Sequence, residues 1–281
     1  MNKIILISLL LVSTMFAKTF MFTAIPDQDE TKLNERFSKI AKYLENELHV
    51  KVKFIPVKSY AASISAFRNN QVQLAWLGGL SGVRARLLVK DSYAIAQGIE
   101  DPQFHTYIIA NTHTNLKKSE IFPMNIKGKT FTFGSKGSTS GRLMPEYYIR
   151  ENLKNSPDEL FKKVGFSGNH SKTISLVQSG AYEVGAVNFK VWDRELKAGN
   201  IDTSKVQVIW KTPAFPDYQF TIRGDVDEQF GKGFSKKVQA ALIKLDDKEI
   251  LAAFPRAKFI ESKSSDFDPI LKVGREIGLI D

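Results

Sequence analysis

Phe131-Thr132-Phe133-Gly134-Ser135-Lys136-Gly137-Ser138-Thr139-Ser140-Gly141-Arg142, running on through Leu143-Met144-Pro145-Glu146-Tyr147-Tyr148, reads as a strand, a loop of glycines and hydroxyls, and a helix start. Phe131 and Phe133 alternate with threonines, the period of a half-buried strand. Ser138-Thr139-Ser140 falls where the unpaired N–H groups of a helix start converge and where the helix dipole favours negative charge. An ordinary N-cap needs one hydroxyl and no flanking glycines. Three hydroxyls set between Gly137 and Gly141, which allow a close backbone approach, look more like a cup for a small anion.

Two catalytic look-alikes lie close by. Gly128-Lys129-Thr130 resembles the end of a phosphate-binding P-loop, but the glycine required five residues earlier is Pro123, and the segment leads into a strand. Gly137-Ser138-Thr139-Ser140-Gly141 has Thr at the centre, where a nucleophile elbow has Ser. Neither chemistry is supported.

Upstream of this stretch the pattern predicts a strand over 18–24, a helix over 31–48 with Leu33, Phe37, Ile40, Leu44 and Leu48 on one face, and a strand over 50–57. A helix over 59–68, a strand over 72–76, a tight loop at Gly78-Gly79-Leu80-Ser81-Gly82 and a helix over 83–89 follow. Strands over 93–97 and 104–110 complete a first α/β lobe with a largely parallel sheet. The polar run 111–122 is the expected first crossing, and Lys211-Thr212-Pro213-Ala214-Phe215-Pro216-Asp217-Tyr218, with its two prolines, the return. The expected division is therefore lobe 1 over 18–111 and 217–281, and lobe 2 over 112–216. Helical tail segments are placed near 236–245 and 269–277.

An internal echo supports two lobes. Residues 64–78 align without gaps on residues 174–188, each reading as an amphipathic helix, a polar turn and a short buried strand. The alignment puts Gly78-Gly79 and Asn188 at equivalent strand ends, where open α/β sheets bind ligands.

Met1 to Ala17 carries Lys3, the apolar run Ile4 to Leu11 and a small residue before Lys18, and reads as a secretory signal peptide. About 264 residues remain after it, a length that suits two lobes. The chain has no cysteine, so the exported protein is expected to be soluble and stable through its core alone. The formal charge of +10 comes from scattered lysines, which fits a small anion better than nucleic acid. The four histidines (His49, His105, His113, His170) are dispersed, which argues against a transition-metal site. No cofactor is expected.

Ala66-Phe67-Arg68, Ala75-Trp76-Leu77-Gly78-Gly79-Leu80-Ser81, Ser138-Thr139-Ser140-Gly141 and Ser167-Gly168-Asn169-His170 together give the chain its likeness. It resembles the phosphate/phosphite/phosphonate family of ABC-transporter periplasmic substrate-binding proteins over nearly the whole mature chain. Phe22 to Glu30 and Val57 to Ala62 look like the branch known as selenate-binding proteins. The resemblance implies a two-lobed α/β periplasmic binding protein of the type II kind, with a hinge and an inter-lobe anion cleft. It also implies an exported, non-enzymatic monomer that delivers its ligand to a membrane permease with a cytoplasmic ATPase.

Carried over residue by residue, the family pattern places the anion between Ser138, Thr139 and Ser140 of lobe 2 and Tyr60, Gly79, Leu80 and Ser81 of lobe 1, with His170 and Asn188 closing the side. The family's phosphonate binders commonly have Asp where this chain has Asn188. An amide donates without adding negative charge, so the expected ligand is a fully ionised tetrahedral oxyanion, selenate or sulfate, ahead of phosphate, phosphite or a phosphonate. Trp76, Tyr60 and Arg142 stay open between packing and ligand contact. The rival readings are a secreted Ser-His hydrolase, a sensor ectodomain partner, and a receptor for a small organic solute.

Overall fold

A computed structural model of the chain describes residues 18–281; the expected signal peptide, residues 1–17, lies outside the described residues. Two sheets organise the protein. The first contains β1 (Phe20–Ala24), β2 (Val52–Phe54), β3 (Leu74–Leu77), β4 (Tyr93–Gly98), β10 (Gln219–Ile222) and β11 (Phe259–Glu261), in the order β11-β4-β10-β3-β1-β2. The second contains β5 (Thr106–Asn111), β6 (Thr130–Phe133), β7 (Lys163–Phe166), β8 (Val184–Asn188) and β9 (Val206–Lys211), in the order β7-β6-β8-β5-β9. β1 pairs in parallel with β2 and β3, and β6 in parallel with β7 and β8, as strand-helix-strand units require. The two-lobed α/β architecture is as the sequence predicts.

Helices cover both sheets. Lobe 1 carries α1 (Glu30–Leu48), α2 (Tyr60–Arg68) and α3 (Gly79–Leu88), and lobe 2 carries α4 (Met144–Leu153), α5 (Pro157–Leu160), α6 (His170–Gln178) and α7 (Phe189–Lys197). The tail returns α8 (Val226–Phe230), α9 (Phe234–Lys244), α10 (Lys248–Ala253) and α11 (Asp268–Glu276) to lobe 1. In α1 the Asp29 side chain caps the Lys32 N–H at 3.3 Å, and Leu33, Phe37, Ile40, Leu44 and Leu48 are buried along one face. Phe20, Phe22, Phe37, Phe220, Phe254 and Phe259 are fully buried in the lobe 1 core, where a single aromatic side chain removes roughly 150–250 Å² from water.

Two expectations are corrected. The strand at 106–111 pairs with β8 and β9, so it belongs to the second sheet. The first crossing therefore precedes it, near residues 99–105, and is not the polar run after it. Alternating apolar residues report burial on a sheet but do not name the sheet. The second correction concerns 78–82, read as a loop; the helix already begins at Gly79, with Gly78 at its N-cap.

The crossings lie side by side. Phe104 N–H donates to Phe215 O at 2.9 Å and Phe215 N–H to Phe104 O at 3.0 Å. Asp101 is fully buried beneath them, paired with Arg256 at 2.7 Å and accepting the Gly98 N–H at 2.7 Å. Asp217 N–H donates to the Asp101 carbonyl at 3.0 Å, which ties the return crossing to the first.

Candidate functional site

The echo between the lobes has a structural counterpart at the cleft. Ser59 caps α2 through the Ala62 N–H and Asn169 caps α6 through the Lys172 N–H, with near-identical extended backbone angles. Carried four residues back at the same offset, the alignment of 64–78 with 174–188 makes the next residues, Tyr60 and His170, equivalent, and both are buried. One helix start from each lobe thus brings a polar aromatic side chain to the inter-lobe surface.

The hydroxyl cup is built by a widened turn. Over 139–143 the helix is wound loosely: Leu143 N–H reaches back to Ser138 O at 3.0 Å and Met144 N–H to Thr139 O. Pro145 has no N–H to give the carbonyl four residues back, that of Gly141. That carbonyl instead accepts the Gly134 N–H at 2.8 Å, and the Ser140 carbonyl accepts the Thr106 hydroxyl at 2.7 Å. Ser138, Thr139 and Ser140 are thereby fixed to the end of β6 and to β5, and all three are buried. Gly141 is the tight point: a Cβ there would lie 2.9 Å from Ser138 Oγ, 3.0 Å from His170 Cε1 and 3.2 Å from Gly134 Cα.

Several of the named residues spend their polar groups on joining the lobes. Leu80 N–H donates to Thr139 Oγ1 at 3.0 Å and Ser81 Oγ to Gly137 O at 2.8 Å across the cleft, while Gly79 N–H donates to Asp217 Oδ1 of the return crossing at 2.8 Å. Asn188 is also committed. Its Oδ1 caps α7 by accepting the Lys190 and Val191 N–H groups, and its Nδ2 donates to the Tyr218 hydroxyl at 2.8 Å.

Four buried polar atoms here have no protein partner: Tyr60 Oη, Ser140 Oγ, His170 Nε2 and Asp217 Oδ2. Burial holds the Tyr60 phenol well above its ordinary value, so it stays a donor. Burial pushes His170 down to about 4, so the ring is neutral. Because Asn188 N–H donates to His170 Nδ1 at 3.2 Å, the neutral ring carries its proton on Nε2, the unpartnered atom. That tautomer leaves no lone pair to take a proton from a serine, and no carboxylate orients the ring, so the geometry does not build the Ser-His pair of a hydrolase.

Asp217, Tyr218 and Asp27 were missed by sequence reasoning. Asp217 is 1% exposed, and burial raises its carboxyl to about 7, with the Gly79 N–H and the Thr139 hydroxyl pulling it back. The only sequence signal for it was an acidic residue beside an aromatic in a crossing otherwise marked by prolines. Its position overturns the argument that made Asn188 the reason for preferring a fully ionised anion. A carboxyl is present, supplied by the return crossing, and the Asn188 amide is engaged by α7 and Tyr218.

The open readings also resolve. Trp76 stacks on Tyr218 at 5.5 Å between ring centroids and is core. Arg142 lies over Phe133 at 4.6 Å and Phe166 at 4.8 Å and pairs with Glu146, so its charge is spent away from the cup. Among the described residues no cluster of His, Asp and Glu has the form of a metal site.

Comparison with known proteins shows the family to which the chain belongs. Residues 22–267 match the family model for the phosphonate ABC transporter's periplasmic substrate-binding protein. The chain is 40% identical over 270 residues to a probable phosphite-binding ABC-transporter protein, PhnD1, of Prochlorococcus marinus (strain MIT 9301), covering 94% of this chain and 91% of that one. The structure of that organism's PhnD1 in complex with methylphosphonate superposes with a TM-score of 0.89 at 39% identity, covering 94% of this chain and 99% of the other. A binding-protein component of a phosphonate ABC transporter from Pseudomonas aeruginosa shares the fold, with a TM-score of 0.79 at 24% identity over 92% of this chain and 85% of its own. The chain belongs to the family of phosphonate-binding periplasmic proteins of ABC transporters.

Proposed function

We propose that the protein encloses a small phosphorus oxyanion, phosphite or a short phosphonate, between its lobes and delivers it to a membrane permease driven by a cytoplasmic ATPase. The observation that carries this reading is the set of unpartnered buried atoms: three donors, Tyr60 Oη, Ser140 Oγ and His170 Nε2, and one carboxyl oxygen, Asp217 Oδ2. Ser138, Thr139 and the free N–H groups of the widened turn add donors on the lobe 2 side. An anion leaving water recovers its hydration through such bonds, each net worth roughly 1.5–3 kcal/mol when one partner is charged.

The carboxyl decides the class of anion. A carboxylate oxygen accepts a P–OH proton but repels an oxyanion that has none to offer. While the carboxyl is ionised, one such like-charge pair at about 4 Å and an effective dielectric near 20 costs about 4 kcal/mol. Because burial raises the carboxyl to about 7, taking up a proton instead limits the cost to about 1.4 kcal/mol for each pH unit above that value. Phosphite and phosphonates carry a proton near neutral pH; sulfate and selenate do not. Selenate, expected from the sequence, is thus disfavoured, and the relatives described above are phosphite and phosphonate proteins.

In this reading the protein is a binding component with no catalytic step. Gly79, Leu80 and Ser81 serve closure, and the two crossings form the hinge. Calorimetry of the protein without residues 1–17 against phosphite, methylphosphonate, phosphate, sulfate and selenate tests it. At about pH 8, phosphite or methylphosphonate binding at least about 10-fold tighter than selenate, the equivalent of about 1.4 kcal/mol, supports the reading. Selenate or sulfate binding as tightly would overturn it.

A further inference from the structure

Behind the cradle, four buried residues from both lobes close a ring of hydrogen bonds. His170 N–H donates to the Asp27 carbonyl at 3.0 Å, and Asn188 N–H to His170 Nδ1 at 3.2 Å. Asn188 Nδ2 donates to the Tyr218 hydroxyl at 2.8 Å, which donates to Asp27 Oδ2 at 2.9 Å. Asp27 follows β1 in lobe 1, Tyr218 ends the return crossing, and His170 and Asn188 belong to lobe 2. None is more than 3% exposed.

The direction of the side-chain half of this ring is forced. The Asp27 carboxylate only accepts. The oxygen of the Asn188 amide is already engaged by two N–H groups of α7, so its NH₂ faces Tyr218. The hydroxyl has one proton, which goes to Asp27, and a lone pair, which receives the amide. Tyr218 itself is packed against the Trp76 ring, 5.5 Å between centroids, and the Arg256 guanidinium, 5.2 Å from its own centroid, so it has little freedom to find other partners.

We propose that Asn188 is a closure-positioning residue. Its amide, the Tyr218 hydroxyl and the Asp27 carboxylate form a clasp between the lobes that holds His170 in register with the anion, and Asn188 itself makes no ligand contact. This rests on the oxyanion reading only in assigning what His170 faces. The clasp depends on an order of donor and acceptor as well as on packing. Asn188→Asp keeps the α7 cap, because a carboxylate oxygen accepts the same two N–H groups, and so keeps the fold. It also sets a second acceptor against a hydroxyl with one proton to give. Adding Asp27→Asn reverses the chain: the new amide donates to Tyr218, and Tyr218 donates to the new carboxylate.

The test is a double-mutant cycle of Asn188→Asp, Asp27→Asn and the pair, read as Kd for phosphite by calorimetry. The Asp27→Asn single variant measures the loss of the 3.8 Å contact between Asp27 and Arg36, which the cycle subtracts. Asn188→Asp is expected to weaken binding by about 30-fold or more, and the pair to return to within about fivefold of Asp27→Asn alone. Asn188→Asp binding within about threefold of the parent, or a pair whose losses simply add, overturns the clasp. If the parent prefers selenate or sulfate, the phosphorus reading fails, and the same cycle run with that anion still decides the clasp. A parent that binds none of these anions refutes both.

Discussion

Asp217→Asn separates the role of a buried carboxyl from that of its position. The replacement is nearly isosteric, and its amide oxygen keeps the 2.8 Å bond from the Gly79 N–H, so the start of α3 stays tied to the return crossing. For a protonated phosphorus anion the variant loses a charge-assisted acceptor, a bond worth about 1.5–3 kcal/mol, which is about 10- to 150-fold in Kd. For sulfate or selenate at a pH above about 7, where the carboxyl is otherwise ionised, it removes a like-charge contact or the proton uptake that relieves it, about 1.4 kcal/mol for each pH unit above 7, and supplies a donor instead. The two effects have opposite signs, so the ratio of phosphite to sulfate affinity, measured at about pH 8, should fall by at least about 10-fold, more than either Kd alone reveals. Calorimetric titration of parent and variant with both anions gives the ratio directly. A ratio unchanged within about threefold would refute the assignment of Asp217 as the group that selects the anion.

Gly141→Ala should abolish binding of every tetrahedral anion, because the added Cβ meets Ser138, His170 and the Gly134 backbone at 2.9–3.2 Å; calorimetry at ligand concentrations well above the parent Kd checks it. Stability should respond to pH through two groups of opposite sign. The Asp217 carboxyl, raised to about 7, stays protonated in the fold while the unfolded chain has lost that proton, so its stabilising effect fades as pH rises from about 4 to 7. His170, lowered to about 4, costs stability as pH falls from 6.5 towards 4, because only the unfolded chain takes up the proton. Asp217→Asn should therefore melt with a steeper loss towards acid than the parent, and His170→Gln with a shallower one, in ligand-free thermal scans. The inter-lobe ion pair of Lys32 with Glu195, at 2.6 Å but with Lys32 38% exposed, should matter little: Lys32→Ala is expected to weaken phosphite binding by less than about fivefold, with the difference vanishing at high salt.

The architecture was legible because periodicity encodes it. The faces of α1, the alternation in β6 and the echo of α2-β3 in α6-β8 all follow from which side chains must leave water. The lobe boundary was not. β5 has the alternation of any half-buried strand, and only its partners β8 and β9 reveal its sheet. β10, which sits between β3 and β4 and pairs antiparallel with both, follows the return crossing unread because four residues give too short a pattern.

The site divides in the same way. Ser138, Thr139, Ser140 and His170 stand at helix starts, where local sequence declares the chemistry. Asp217 and Asp27 lie in connections and acquire their character from burial by the opposite lobe, which no local pattern records. Asn188 shows the complementary case. Its position at a strand end was correct, but its amide is used by α7 and Tyr218, and side-chain direction there is settled by tertiary partners.

The central claim is that one proton is shared between Asp217 and the bound anion, and counting protons tests it most directly. At a pH above both the ligand's second ionisation and the value near 7 of the carboxyl, neither partner carries that proton before binding. Calorimetry of phosphite or methylphosphonate in buffers of differing ionisation enthalpy should then show uptake of close to one proton per ligand bound, abolished by Asp217→Asn. Tight binding with no proton uptake would contradict the account.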